Sequence, residues 1–293
     1  MPINNSILFN LPTTFPPQHQ NQRPGVESEM NPRPFSENPN YTAASKLQNK
    51  VAIITGGDSG IGHAVAYAFA QEGADIVIAY LNEHSDAEET KRRIESLGRR
   101  CLLFSGDLGD ENICQQVINQ TIQTFGKLDI LVNNCAEQHP QNSILNITAA
   151  QLERTFRTNI FSFFYMSKAA LPHLKPGSVI INTASITAYH GHKTLLDYSS
   201  TKGAIVTFTR SLSLQLVGQG IRVNGVAPGP IWTPLIPSTF TEQEVATFGA
   251  DTPMMRAGQP FELAPTYVYL ASDDSTYVSG QILHVNGGEI VNG

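Results

Sequence analysis

Short, continuously apolar runs alternate with segments of helical period through most of this chain, and that alternation limits its fold more than any other feature. Val51-Ala-Ile-Ile-Thr55 is the first such run and leads into a glycine-rich loop. Residues 61–72 then carry Ile61, Val65, Ala68 and Phe69 at helical spacing, and Gly73 stops the helix. The strand pattern returns at Ile76–Tyr80, Cys101–Ser105, Leu128–Val132, Ser178–Asn182, Ile221–Val226 and Gln281–Val285. Helical segments at His84–Leu97, Glu111–Phe125, about 148–174, Thr194–Val217 and about 261–271 lie between them. A strand that is apolar at every position has both faces buried, which calls for a parallel sheet covered by helices on both sides.

The predicted fold class is therefore α/β, a Rossmann-like doubly wound parallel sheet of about seven strands in a single domain over residues 47–293. Right-handed crossovers put the ligand crevice of such a sheet at the carboxyl ends of its strands. The 293 residues are 41% apolar and 15% charged, a globular composition. The formal net charge is −6 and no Lys/Arg cluster stands out, so no nucleic-acid partner is expected. Cys101, Cys114 and Cys135 are odd in number and lack metal-type spacing. They read as thiols of a reducing compartment, and no metal site is expected. Residues 1–20 show no targeting pattern, and no apolar run approaches the ~18 residues of a spanning helix. The expected location is cytoplasmic, with no membrane partner. Eight of the 18 prolines fall in residues 1–40. Residues 1–46 thus form a Pro-rich arm that can be neither helix nor central strand. It is either a disordered tail or an extended arm on its own or a neighbouring subunit, anchored by Phe9, Phe15, Phe35 and Tyr41.

Thr55-Gly-Gly-Asp-Ser-Gly-Ile-Gly62 joins the first strand to the first helix. Glycines at 56, 60 and 62 allow a tight turn and close approach to a pyrophosphate, and the helix N-terminus supplies free N–H donors. A glycine turn alone could hold no ligand, but its place between strand and helix favours a dinucleotide. Farther on, Tyr198 and Lys202 are four residues apart and share a helix face. An ammonium there is expected to lower the pKa of the phenol, as is the positive charge of an oxidised nicotinamide, and to suit it to acid/base work. Alone, such a pair would be an ordinary amphipathic face; with Ser185 at a strand end and the glycine loop upstream, it points to chemistry.

Taken in order, these motifs resemble the short-chain dehydrogenase/reductase family over residues 47–293, nearly everything after the arm. Thr55–Gly62 match its glycine motif and Asp107-Leu108 its adenine-contacting pair. Asn133-Asn134 match the start of its Asn-Asn-Ala-Gly segment. Asn159, Ser185, Tyr198 and Lys202 match its catalytic set, and Pro228-Gly229 with Thr233 its nicotinamide-covering loop. The arm resembles that of a bacterial subgroup related to glucose dehydrogenases and carbonyl reductases. The resemblance implies cofactor contacts from Gly56, Asp58, Ser59, Gly60, Ile61, Asp107, Leu108, Asn134, Tyr198, Lys202, Pro228, Gly229, Ile231 and Thr233. It further implies that Lys202 holds the nicotinamide ribose, Ser185 the substrate oxygen and Asn159 a proton-relaying water. One departure is Ala136, which stands where the family has glycine, so its backbone must avoid angles only glycine tolerates.

The resemblance implies hydride transfer between NAD or NADP and a small alcohol, aldehyde or ketone. Tyr80 replaces the acidic residue that commonly selects NAD, and Leu81 supplies no base for the phosphate of NADP. Asp58 and Glu83 should repel that phosphate, so the sequence leans to NAD, with use of both left open. A rival enzyme reading is a sugar dehydrogenase of the glucose type. Trp232, Phe240, Phe248, Met254 and Met255, in a substrate lid over about 230–256, favour an apolar substrate instead. A rival of another class is a nucleotide-sensing protein without turnover. His139, His190 and His192 read as loop residues that line the pocket or face solvent. A homotetramer is also implied, with Ser279–Asn286 near a subunit interface; a monomeric mass in solution would refute it.

Overall fold

The protein is described by a computed structural model over residues 11–291. Seven strands run through it: β1 (Val51–Thr55), β2 (Asp75–Tyr80), β3 (Cys101–Ser105), β4 (Ile130–Asn133), β5 (Val179–Thr183), β6 (Arg222–Pro228) and β7 (Ile282–Val285). They form one parallel sheet in the order β3-β2-β1-β4-β5-β6-β7. The connecting helices are α1 (Gly60–Gln71), α2 (His84–Ser96), α3 (Glu111–Phe125), α4 (Ala149–Phe156), α5 (Ser162–Ala170), α6 (Thr187–His190), α7 (Leu196–Leu216), α8 (Glu242–Ala246) and α9 (Pro260–Ala271). This is the seven-stranded, doubly wound α/β fold that the alternation predicts.

Both faces of the central strands are buried, which explains their unbroken apolar character. Every residue of β1, β2, β4 and β5 is buried, while β3 and β7 at the two edges are mostly half-exposed. Ala52, Ile54, Ile76 and Ile78 pack into one core with α1 and α9. Their neighbours Ile53, Val77 and Leu131 pack into the opposite core with Cys114, Val117 and Ile118 of α3. Each such Ile or Val contributes about 1.5–3 kcal/mol by leaving water. The strand order reverses between β1 and β4, which opens a crevice at their carboxyl ends.

The helical stretch expected at about 148–174 is not one continuous α-helix. A π-helical turn, Arg157–Phe161, separates α4 from α5, and a 3₁₀ turn at Leu171–His173 follows α5. The π turn buries Asn159 and Ile160 against the body of the protein. Its cause is tertiary, and the local sequence carries no mark of it.

From residue 11 the Pro-rich segment lies across its own chain. Phe15 stacks on Trp232 with ring centroids 3.8 Å apart and planes inclined by 11°. Met30, Ile236, Val245 and Ala257 complete that cluster. Trp232 Nε1 donates to the Pro32 carbonyl at 2.9 Å, and Gln20 N donates to the Pro237 carbonyl at 2.8 Å. Phe35 is held by its backbone rather than its ring: its N–H donates to Gln259 Oε1 (2.9 Å), and its carbonyl accepts from Phe261 N (3.1 Å). The Tyr41 hydroxyl donates to Glu72. Phe9 lies outside the described residues.

Trp232 is the only tryptophan of the chain, so its fluorescence reports the docking of the arm. Phe15→Ala is expected to cost about 3 kcal/mol. In a urea titration the emission of the variant should shift to the red at a concentration that leaves the wild type unchanged. Superimposable titrations would show that the stacking contributes nothing.

Candidate active site

The crevice is built first by backbone. Gly56 and Gly60 stand at φ of 62° and 55°, in the left-handed region. A Cβ on Gly62 would lie 2.0 Å from the Gly56 carbonyl oxygen, so only glycine fits there. Ser59 caps α1 without a side-chain hydrogen bond. The helix therefore presents first-turn N–H groups and the positive end of its dipole. One of them, Gly60 N, is met at 2.6 Å by Glu27 of the arm, a carboxyl that burial pushes up to about 8. The glycine turn and the remaining first-turn donors make a cradle that fits a dinucleotide pyrophosphate.

Thr55 fixes the opposite rim. Its Oγ1 accepts from Asn134 N at 2.8 Å and Cys135 N at 3.1 Å. Asn134 Nδ2 donates back to the Thr55 and Gly56 carbonyls at 3.1 and 3.3 Å. The loop after β4 is thereby tied to the loop after β1. Ala136 is absent from the residues of positive φ, so the alanine introduces no backbone strain.

The predicted chemical groups meet at the ends of β5 and β6. Lys202 is 1% exposed; its Nζ donates to the Thr183 carbonyl at 2.9 Å and stands 5.4 Å from the Tyr198 ring centroid. Tyr198 lies one turn earlier in α7. Asp197 Oδ1 accepts from Tyr198 N, and Asp197 Oδ2 accepts from Gln151 and Thr155 of α4. Burial pulls the Lys202 ammonium down to about 8. The expectation of a lowered tyrosine pKa is overturned for this state. Burial pushes Tyr198 up to about 12, with only the Ser185 hydroxyl beside it pulling the other way. Desolvation outweighs an ammonium that is directed at a carbonyl rather than at the phenol.

Asn159 sits apart from the cavity wall. Its Oδ1 accepts from Glu137 N at 2.8 Å, while Nδ2 donates to the Glu137 carbonyl (2.9 Å) and to Thr201 Oγ1 (3.2 Å). All the other residues anticipated above as catalytic or cofactor-binding line one cavity of about 1070 Å³. That volume holds a dinucleotide and a small second molecule. Asp107 accepts from Gly109 N at 2.8 Å and pairs with Arg154. Burial works against its charge, yet these two donors hold it below the usual carboxylate range.

The structure adds wall residues that no motif marks. Arg23, Pro24 and Gly25 come from the arm, and Glu137, Gln138, Arg154 and Lys193 from elements around the mouth. His139, His190 and His192 all line the cavity, though His190 ends α6 rather than lying in a loop. The lid differs from expectation. Phe240 and Phe248 reach the cavity, but Trp232 is fully buried behind the lid against Phe15. Met254 and Met255 are 62% and 70% exposed and do not line the cavity. Trp232 therefore serves the arm, and of the five apolar lid residues only Phe240 and Phe248 remain to favour an apolar substrate. Among the described residues, no group of three or more His, Cys, Asp or Glu is placed to hold a metal ion. No helix there is long and apolar enough to cross a membrane.

Comparison with known proteins agrees with this geometry. A family model described as enoyl-(acyl carrier protein) reductase matches residues 56–289. The uncharacterized oxidoreductase YhxC of Bacillus subtilis (strain 168) is 67% identical over 96% of this chain and 98% of its own. The glucose and ribitol dehydrogenase of Daucus carota is 54% identical over 95% and 98%. Among solved structures, a short-chain dehydrogenase of Burkholderia cenocepacia J2315 in complex with NADP superimposes with a TM-score of 0.79. It is 29% identical, and the match covers 83% of this chain and 98% of that one. On these grounds the chain belongs to the short-chain dehydrogenase/reductase family of oxidoreductases.

Proposed function

We propose that the protein transfers a hydride between a nicotinamide cofactor and the carbon of an alcohol or carbonyl substrate, with Tyr198 as the acid or base at the substrate oxygen. The observation that carries this reading is the buried Tyr198–Lys202 pair, which lines the same cavity as the glycine cradle. The bound cofactor supplies or accepts the hydride. Tyr198, protonated at neutral pH, gives its proton to a carbonyl oxygen during reduction; during oxidation its phenolate form takes the proton of the alcohol. Ser185 orients that oxygen. Lys202 keeps its charge below about pH 8, stabilises negative charge that develops on the phenol and holds ribose hydroxyls. The side chain of Asn159 is engaged by Glu137 and Thr201, which fixes the π turn beside the site.

Tyr198→Phe is expected to lower kcat by about 10²–10⁴-fold while leaving cofactor affinity within a few-fold. Aldehydes, ketones and sugars form the panel, followed by the absorbance of the reduced cofactor. Equal residual rates for wild type and variant on every substrate would leave only the nucleotide-sensing reading. Within the panel, sugars and polyols gain weight as a second reading. The cavity mouth is lined by His139, His190, His192, Lys193 and Asp251, donors and acceptors suited to hydroxyl groups.

The NADP of the B. cenocepacia enzyme weighs against the lean to NAD and makes NADP the favoured form. The acidic residues that prompted that lean are weaker obstacles than they look. Burial, then the charge of Glu83, pushes Asp58 up to about 7, and burial also raises Glu83. Below pH 7 the Asp58 carboxyl is therefore mostly neutral and repels an adenosine phosphate little; above it, the charge appears. The KM for NADPH should rise relative to that for NADH between pH 6 and pH 8.5, and Asp58→Asn should flatten the trend. A constant ratio in the wild type, or a lower KM for NADH at every pH, would refute this account.

A further inference from the structure

On the hydride-transfer reading above, we propose that the substrate carries an anionic group, a carboxylate or a phosphate ester, away from its reacting carbon. Arg23 of the N-terminal arm receives that group. Arg23 lies at the cavity mouth although it is 175 residues from Tyr198 in sequence. Its guanidinium is held from two sides. Nε donates to the Ser238 carbonyl of the lid at 3.0 Å, and Nη1 contacts His139 Nδ1 at 2.9 Å. A guanidinium has five N–H donors in a fixed plane, so three remain for a ligand.

The charges around it support this assignment. No carboxylate pairs with Arg23 among the described residues. The nearby acids already have partners: Glu137 is held by Arg154 and His139, and Glu289 by His190. His139 faces Glu137 through Nε2 at 3.2 Å, which places its proton there and leaves Nδ1 to accept from Arg23. Lys193, a second cation on the wall, has no carboxylate partner among the described residues either. Its loop is tied to the loop of His139 by the bond from Gln141 N to the Thr194 carbonyl, 2.8 Å. Glu244 and Asp251 also line the cavity and act electrostatically on His192. A guanidinium fixed by two hydrogen bonds, without a carboxylate partner, on the wall of a substrate cavity is a receptor for a planar or tetrahedral anion.

Two matched pairs test this with the full-length protein: carboxybenzaldehyde against benzaldehyde, and glyceraldehyde phosphate against glyceraldehyde. The wild type should favour the charged member of one pair by about tenfold or more in kcat/KM. The pair that responds tells carboxylate from phosphate. Arg23→Ala should bring that ratio to near one, Arg23→Lys should keep part of it, and a thermal melt confirms that each variant is folded. No preference in the wild type, or a preference that Arg23→Ala retains, overturns the proposal. Calorimetry of carboxybenzyl and benzyl alcohol, glycerol phosphate and glycerol on the NADP-bound enzyme reads the same preference without turnover. Arg23-dependent binding with no turnover would refute hydride transfer and leave the anion receptor standing; turnover without charge preference would do the reverse.

Discussion

The hydroxyl of Thr55 is the joint on which the site depends. In a parallel sheet whose winding reverses, the chains leaving two neighbouring strands diverge, and nothing in the ladder fixes how far apart they stand. Here Thr55, the last residue of β1, accepts the N–H groups of Asn134 and Cys135 as they leave β4. Two buried donors are satisfied at once, and the crevice acquires a set width. Gly62 then brings α1 against the Gly56 carbonyl, and Asn134 closes the ring by donating to both loop carbonyls. The cofactor cradle is thus a property of backbone positions, held by one threonine and one asparagine.

A second constraint works from outside the sheet. The lid has little regular structure of its own, only α8, yet Trp232, Ile236 and Val245 are buried. The arm supplies what they pack against. Phe15 covers Trp232, the Pro32 carbonyl takes the indole N–H, and Glu27 reaches through to the first turn of α1. One continuous segment therefore touches the lid, the pyrophosphate cradle and the cavity mouth. A prolyl-rich chain suits the task, because its restricted backbone loses less entropy on docking than a flexible one would.

How much of this was legible in the sequence follows from the range of each interaction. Strand and helix periods are local, so β1, β3 and α3 appear in the sequence at the same residues as in the structure. The residues that line the cavity from motifs, Gly56 to Thr233, were likewise readable, since each sits in a short local pattern after a strand or along one helix face. What could not be read depends on distant partners. Trp232 looked like a substrate contact because nothing local says that Phe15 occupies its face. Arg23 carried no signal at all, for its partners lie 116 and 215 residues away. The π turn at Asn159 is set by Glu137 and Thr201, neither of which is a helical neighbour.

The tyrosine expectation failed for a related reason, and the failure bears on mechanism. Spacing places Lys202 on the face of Tyr198, but spacing says nothing of how dry that face is. Burial raises Tyr198 to about 12 and lowers Lys202 to about 8, each toward its neutral form. Holding a phenolate there at neutral pH costs on the order of 7 kcal/mol. The Lys202 ammonium, 5.4 Å from the ring centroid and directed at the Thr183 carbonyl, offsets only part of that cost. Lys202 alone therefore leaves Tyr198 protonated, and only a further positive charge in the cavity brings the phenolate within reach. On the proposed chemistry that charge is present only while the oxidised cofactor is bound. Tyr198 would then be an acid when a carbonyl is to be reduced and a base when an alcohol is to be oxidised, switched by the same desolvation that hides it from water.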